Sequence, residues 1–207
     1  MTTSTDTLLT ELAALGAATV YEANGQRDAL DPAIKPLDPT SRIAGRAVTV
    51  DLEPGDNWFI HVAMLETRPG DILVVDAKGY TQAGPWGDVL TLAAQQRGLA
   101  GLVIDGAVRD SQEIIESGFP VFTRGVCIRK TTKVQRGRVN VPVTVGGVLI
   151  RPGDILVGDA DGLVRVEEQD AANAVSSSSQ RAQKENRMRE EILAGASTLD
   201  LLGLPRP

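Results

Sequence analysis

The sequence predicts an α/β fold organised around a sheet with parallel strands, and three observations carry that prediction. Strand-like and helix-like segments alternate as β-α-β-α-β between residues 71 and 124, an order that implies parallel strands joined by right-handed crossovers. Val, Leu, Ile, Ala and Gly dominate while aromatics are only 3% of the chain, a composition suited to helix-on-sheet packing. After Cys127 the pattern changes to short β runs separated by Gly-Gly, Pro-Gly-Asp and Asp-Gly turns.

The elements follow in order. Residues 5–15 read as a short helix ended by Gly16, and 17–24 as a second one stopped at Asn24-Gly25. DALDPAIKPLDPTSR carries three prolines and reads as a surface loop. RIAGRAVTVDL reads as a strand, and EPGDNW as the turn opening a helix over 57–67. A strand at 71–76 leads into the loop KGYTQAGPWG and a helix over 88–97 closed by Gly98. A strand at 101–105 leads through the turn AVRD to a helix over 110–117 closed by Gly118, and PVFTR at 120–124 completes the run. RVNVPVTV, GVLI, ILVGD and LVRVE supply the later strands. From Glu168 to Leu193 a polar helix follows whose middle has little apolar periodicity of its own, the pattern of a helix lying against another subunit.

RPGDILVVDA at Arg68 and RPGDILVGDA at Arg151 differ at one position. Pro-Gly-Asp makes a turn and Ile-Leu-Val a strand, and the flanks differ, so the pair reads as two similar turn-strand units in one core. At 207 residues the expectation is a single domain: N-terminal helices and loop over 1–40, an α/β core over 41–167, and a C-terminal helix and tail over 168–207.

Composition removes several function classes. A net charge of -6 argues against a nucleic-acid surface. Cys127 is the only cysteine, so neither an intramolecular disulfide nor a thiolate metal cluster is available. The start, MTTSTDTLLTELAALG, lacks a basic stretch followed by an apolar core, and no apolar run reaches the roughly 18 residues of a spanning helix. A soluble, cytoplasmic protein without membrane partners is expected. His61 is the only histidine, so any chemistry must rest mainly on carboxylates, Arg, Lys, backbone amides and a hard metal.

In parallel sheets ligands bind beyond the carboxyl ends of strands. Two such places are adjacent here, PWGDVL and DGAVRD. A helix opening at Gly87-Asp88-Val89-Leu90 presents free N–H groups to a carboxylate or phosphate. Arg109 supplies a fork of donors, and Asp110 a hard oxygen ligand of the kind Mg²⁺ accepts alongside waters. The structural alternatives stand beside this reading. Asp110-Ser-Gln-Glu113 resembles a capping box, Asp88 fits a helix N-terminus through the dipole, and Arg109 could pair with any surface acid. GDADG at 158–162 reads as a hairpin turn rather than a Ca²⁺ loop. No GxGxxG follows a strand and no GxxxxGK[ST] occurs. His61 reads as a packed or solvent-edge residue, and nothing singles out Lys78, Lys130 or Lys133 as a Schiff-base amine.

The succession GDNWFIHVA, RPGDILVVDA, PWGDVL, GLAGLVIDGAVRDSQEI, FPVFTRG, VNVPVTVGGVLIRPGDILVGDADG resembles the RraA-like family over roughly residues 8–195. That family holds class II pyruvate aldolases acting on 4-hydroxy-4-methyl-2-oxoglutarate and 4-carboxy-4-hydroxy-2-oxoadipate, and bacterial regulators of RNase E activity. The aldolase motif is an Asp, twenty residues, then Arg-Asp, which Asp88 and Arg109-Asp110 match.

The resemblance implies a layered fold with a mixed central sheet or barrel flanked by helices. It also implies a C-terminal helix reaching a neighbouring subunit of a trimer or hexamer. It implies that Asp110 binds Mg²⁺ or Mn²⁺, partly through waters, and that Arg109 contacts a pyruvate moiety. The amides at Gly87 to Leu90, those of Val89 and Leu90 above all, would hold the substrate carboxylate, and Asp88 would orient a proton-transferring water. Glu22 and Glu185 match acids that the family takes from a neighbouring subunit. Lys133 falls near a family lysine, but its loop, CIRKTTK, departs from the usual Gly/Pro-rich sequence and it stays outside the set. The implied activity is metal-dependent release of pyruvate from a 4-hydroxy-2-oxo diacid, with oxaloacetate decarboxylation as a side activity. The alternative is a protein-binding regulator of ribonuclease E.

Overall fold

The computed structural model describes residues 5–134 and 136–206. Two N-terminal helices, α1 (Thr5–Leu15) and α2 (Ala17–Ala23), meet at Gly16 and are followed by the proline-rich segment, which contributes one short strand, β1 (Lys35–Pro36). The alternating run then appears: β2 (Ile43–Leu52), α3 (Trp58–Glu66), β3 (Ile72–Tyr80), α4 (Asp88–Gln96), β4 (Gly101–Val108), α5 (Ser111–Ser117) and β5 (Val121–Val126). Five short strands follow: β6 (Gly137–Val139), β7 (Val143–Val145), β8 (Val148–Ile150), β9 (Ile155–Asp159) and β10 (Gly162–Val166). The chain ends with α6 (Ala171–Leu193) and α7 (Thr198–Leu201).

The sheet is mixed, in the order β1-β5-β4-β3-β2-β9-β10, with β6 also beside β2. Strands β2 to β5 are parallel, as the alternation implies, while β1, β6, β9 and β10 run antiparallel to their partners. Strands β7 and β8 form a separate hairpin.

The parallel strands are buried on both faces, which is why they read as continuous apolar runs. On one face Leu73, Val75, Leu102 and Ile104 pack with Ile60, Met64, Leu90 and Ala94 of the helices. On the other, Ile72, Val74, Val103 and Phe122 pack with Ile34 and with Val143, Val145 and Ile150 of the hairpin. A third cluster joins Leu12 and Val20 to Val157, Val164 and Val175. It explains how a polar helix stays attached: α6 buries only Ala171, Ala174, Val175 and Ser178, a stripe confined to its first turns.

The two RPGD sequences fold alike. In each, the Asp amide donates to the Arg carbonyl (3.1 Å) and the Asp carboxylate accepts from the Arg amide (2.8 Å). Gly70 and Gly153 take the left-handed backbone (φ 86° and 88°) that a Pro-Gly turn of type II needs. Each turn delivers a strand to one side of β2, β3 in parallel and β9 antiparallel.

Four boundaries differ from the sequence reading. Strand β4 does not end at Asp105-Gly106 but runs to Val108, and β3 runs to Tyr80. Register shifts between Val75 and Tyr80 and between Ile104 and Ala107 let pairing resume after an irregularity. Gly106 is needed there, because a Cβ would lie 2.9 Å from that of Ala77. RVNVPVTV is two strands broken at Asn140, whose φ is 55°. The helix predicted from Glu168 begins instead with a 3-10 turn, Glu168–Asp170, ahead of α6. No helix among the described residues is long and apolar enough to cross a membrane.

Strand β2 leaves no room at its entry. A Cβ on Gly45 would sit 2.5 Å from the Gly70 carbonyl oxygen and 2.9 Å from Ile72 Cγ1. Backbone at the RPGD turn cannot swing aside as a side chain can, so Gly45→Ala is expected to cost roughly 1–3 kcal/mol of overpacking. Urea unfolding checks this, and an unchanged midpoint would contradict the close approach.

Candidate functional site

The site begins with a buried tryptophan. Trp86 is fully enclosed and stacks on Phe119 with ring centroids 6.1 Å apart. Its indole N–H donates to Thr91 Oγ1 (2.8 Å), and the Thr91 hydroxyl donates to the Gly87 carbonyl (3.0 Å). The Trp86 carbonyl accepts from the Arg109 amide (2.9 Å). One residue thus ties the first turn of α4 to the end of β4 and fixes the two halves of the sequence motif side by side.

Asp110 completes the arrangement through its backbone. It takes the left-handed conformation (φ 55°, ψ 44°), which Asp tolerates better than most residues. Its carboxylate makes no capping bond to α5, so the capping box does not form. The side chain crosses to the neighbouring helix instead: Oδ2 accepts from the Asp88 amide at 3.2 Å and lies 3.3 Å from Arg109 Nε. Gly87 makes this approach possible, since a Cβ there would stand 2.3 Å from Asp110 Oδ2.

The α4 N-terminus is already partly used. Asp88 Oδ1 accepts from the Val89 amide at 2.7 Å, whereas the Leu90 amide carries no hydrogen bond among the described residues. Of the two amides singled out in the sequence, Leu90 is therefore the open one, and Val89 opens only when the Asp88 side chain turns away. These groups line a cleft of about 440 Å³ together with Asn57, which immediately precedes α3, His61 of α3, and Lys130, Thr131 and Lys133 of the loop after β5. The lining carries three cations, Arg109, Lys130 and Lys133, against the single carboxylate of Asp88. Partial burial, then the Lys133 charge, holds the His61 imidazole below its ordinary pKa and so neutral at pH 7.

The structure brings Gly87, Asp88, Val89, Leu90, Arg109 and Asp110 together. Glu22 and Glu185 do not line this cleft. They meet each other across α2 and α6, both paired with Arg181. Asn57, Lys130 and Lys133 received no role from the sequence. The GDNW turn marks where α3 starts, but no local signal says that a loop more than seventy residues later packs against it.

Because the Asp110 carboxylate is the movable end of a side chain, Gly87→Ala is expected to unfold within about 1 kcal/mol of the native chain. It should nevertheless displace Asp110 from the Asp88 amide. Hydrogen exchange at that amide reads the contact, and exchange as slow as in the native chain would contradict the arrangement.

Comparison with known proteins places these residues in context. The family model described as RraA-like, Aldolase/RraA, matches residues 13–165. A protein of Halalkalibacterium halodurans named "Putative 4-hydroxy-4-methyl-2-oxoglutarate aldolase" is 39% identical over 165 residues, 80% of this chain and 78% of that one. One of the same name from Burkholderia mallei is 36% identical over 142 residues, covering 69% and 86%. Among solved structures, an uncharacterized Pseudomonas syringae protein superposes with a TM-score of 0.84 at 31% identity, covering 95% of this chain and 92% of that one. Streptomyces coelicolor RraAS2, described as an unusual member of the RNase ES inhibitor RraA family, gives 0.78 at 30%, covering 91% and 98%. The match spans both arms of the motif and the sheet that carries them, and the chain belongs to the RraA-like, Aldolase/RraA family.

Proposed function

We propose that this protein is a divalent-metal-dependent aldolase that cleaves a 4-hydroxy-2-oxo diacid to pyruvate and a second oxo acid. The observation that carries the reading is the meeting of a helix N-terminus, Arg109 and Asp110 at one end of a cation-rich cleft. The aldolase names of relatives at 39% and 36% identity support it.

The residues fit a hydrated Mg²⁺ or Mn²⁺. Asp110 Oδ2 is engaged by the Asp88 amide and Arg109, while Oδ1 has no partner among the described residues. No group of three metal-ligating side chains lies among the described residues of one chain. A single carboxylate oxygen suits an ion that keeps several waters, and suits zinc poorly. When bound at Asp110, the ion would supply Lewis-acid polarisation of the keto group.

The protein's own groups do the rest. The Leu90 amide and the α4 N-terminus hold the substrate carboxylate, joined by Val89 when the Asp88 side chain turns away. Arg109 donates to the keto oxygen, where negative charge grows as the C3–C4 bond breaks and pyruvate enolate forms. The C4 hydroxyl proton leaves to a water, and the electrons of that O–H bond become the new carbonyl. Asp88 then orients the water that returns a proton to C3. Loss of CO₂ from oxaloacetate yields the same enolate, so decarboxylation accompanies the main reaction. Glu22 and Glu185, adjacent and outside their own cleft, are assigned to the site of a neighbouring protomer in a trimer or hexamer.

The likeness to RraAS2 supports a second reading, inhibition of a ribonuclease through surface contact. A pyruvate-release assay across 4-hydroxy-2-oxo acids separates the two. Arg109→Ala is expected to lower kcat/KM by about 10²–10³, and chelation or Asp110→Ala to abolish release. Metal-loaded protein that releases no pyruvate from any such acid, or from oxaloacetate, removes the aldolase reading.

A further inference from the structure

From α3, His61 lines the same cleft as Arg109 and the α4 N-terminus. With Trp58, Val62 and Leu65 of its own helix it also lines a neighbouring apolar hollow of about 380 Å³, and only Lys133 shares both cavities with it. The residue is exposed, and its ring has no hydrogen-bond or ion-pair partner among the described residues. Both ring nitrogens are therefore free for a ligand or a water. Lys133 is fixed nearby, because the buried Asp56 carboxylate accepts from the Thr132 hydroxyl (2.9 Å) and the Val134 amide (2.6 Å) on either side of it.

The other lining groups leave one chemical task open. Retro-aldol cleavage needs an acceptor for the proton that leaves the C4 hydroxyl. Arg109, Lys130 and Lys133 are cations and have no lone pair to offer. Asn57 holds the Pro85 carbonyl through its side-chain N–H (2.9 Å), and neither its amide nor the Thr131 hydroxyl is basic. Asp88 already accepts from the Val89 amide and serves the proton at C3, while Asp110 is committed to the Asp88 amide and to Arg109. What remains is an imidazole that partial burial, and then the Lys133 charge, keep neutral and so able to accept at pH 7.

We propose that His61 is the general base of the cleavage step, taking the C4-hydroxyl proton through the water that first receives it. The electrons of the O–H bond become the new carbonyl at C4, and those of the C3–C4 bond pass into the enolate. The imidazolium then returns its proton to bulk water, a loss that the adjacent Lys133 charge favours. The inference rests on the aldolase reading and deepens it by giving the base a residue.

Oxaloacetate supplies the control, since its C4 carboxylate leaves as CO₂ and no hydroxyl proton has to be removed. In the metal-loaded protein His61→Gln is expected to lower kcat for pyruvate release from a 4-hydroxy-2-oxo diacid by about 10²–10³, the scale of a lost general base. Oxaloacetate decarboxylation should move by less than about threefold. Free imidazole should restore part of the cleavage in His61→Ala. As the only histidine, His61 gives unambiguous ring resonances, and NMR titration of the native protein should place its pKa below the ordinary histidine value. Among the charged groups facing the ring across the cleft, Lys130, Lys133 and Arg109 outnumber Asp88, which favours the neutral form. Cleavage should accordingly fall as acid protonates the ring, and decarboxylation should not follow that limb. Equal loss of both activities, loss of neither, or a ring already protonated at pH 7 overturns the role of His61. Native protein that cleaves no such hydroxy acid overturns the aldolase reading itself.

Discussion

Strand β2 is shared, and the rest of the structure depends on that sharing. Residues 47–51 pair with β3, residues 43–46 with β9 and residues 50–52 with β6, so one strand is the boundary of a parallel sheet and of an antiparallel one. The near-identical RPGD turns follow from this position. Each must bring a new strand against the same ten-residue strand at a fixed height, and a Pro-Gly turn locked by its own Asp carboxylate does so without help from distant residues. The cost falls on β2 itself, where Gly45 has no space for a side chain. With β2 and β3 set, β4 and β5 add in parallel, and the loops at their carboxyl ends converge where the cleft lies.

Within the cleft the governing contact is the approach of Asp110 to Gly87. A carboxylate next to a helix N-terminus is favourable in any case, through the N–H groups it meets and the helix dipole. What is unusual is that Asp110 heads one helix and faces the start of another. The left-handed backbone at Asp110 produces this, at a cost in strain of order 1 kcal/mol that a simple capping residue would not bear. Local strain retained where an ordinary cap would have served argues that the position is kept for what the carboxylate does.

Much of this was legible in the sequence, because the signals were local. The alternation of periods gave the βαβ run, Pro-Gly-Asp gave the turns, and Gly87-Asp88 and Arg109-Asp110 stood at strand ends where ligands bind. What was not legible was non-local. Asp105-Gly106 has the composition of a turn, yet continued pairing with β3 and β5 keeps it in a strand. Asp110-Ser-Gln-Glu113 has the composition of a capping box, yet the space left by Gly87 draws the carboxylate elsewhere. Lys130 and Lys133 enter the cleft only because Asp56 reaches the loop that carries them, a contact spanning 76 and 78 residues of sequence. No pattern within that loop encodes its destination.

The charge distribution makes the same distinction at larger scale. The chain carries -6 overall, which would repel a dianionic ligand if the charge were spread evenly. Many of its acids are instead committed to internal cations: Asp31 and Asp105 hold Arg124, Asp51 and Asp76 hold Lys78, and Asp28, Asp154 and Glu167 hold the buried Arg165. At physiological ionic strength, interactions between exposed charges fade beyond about 8 Å. A ligand entering the cleft therefore responds mainly to Arg109, Lys130, Lys133, Asp88 and Asp110, and much less to the acidic remainder. The acidic chain can present a cationic pocket because many of its acids are held by cations elsewhere, while the cations of the cleft lack a full complement of acids.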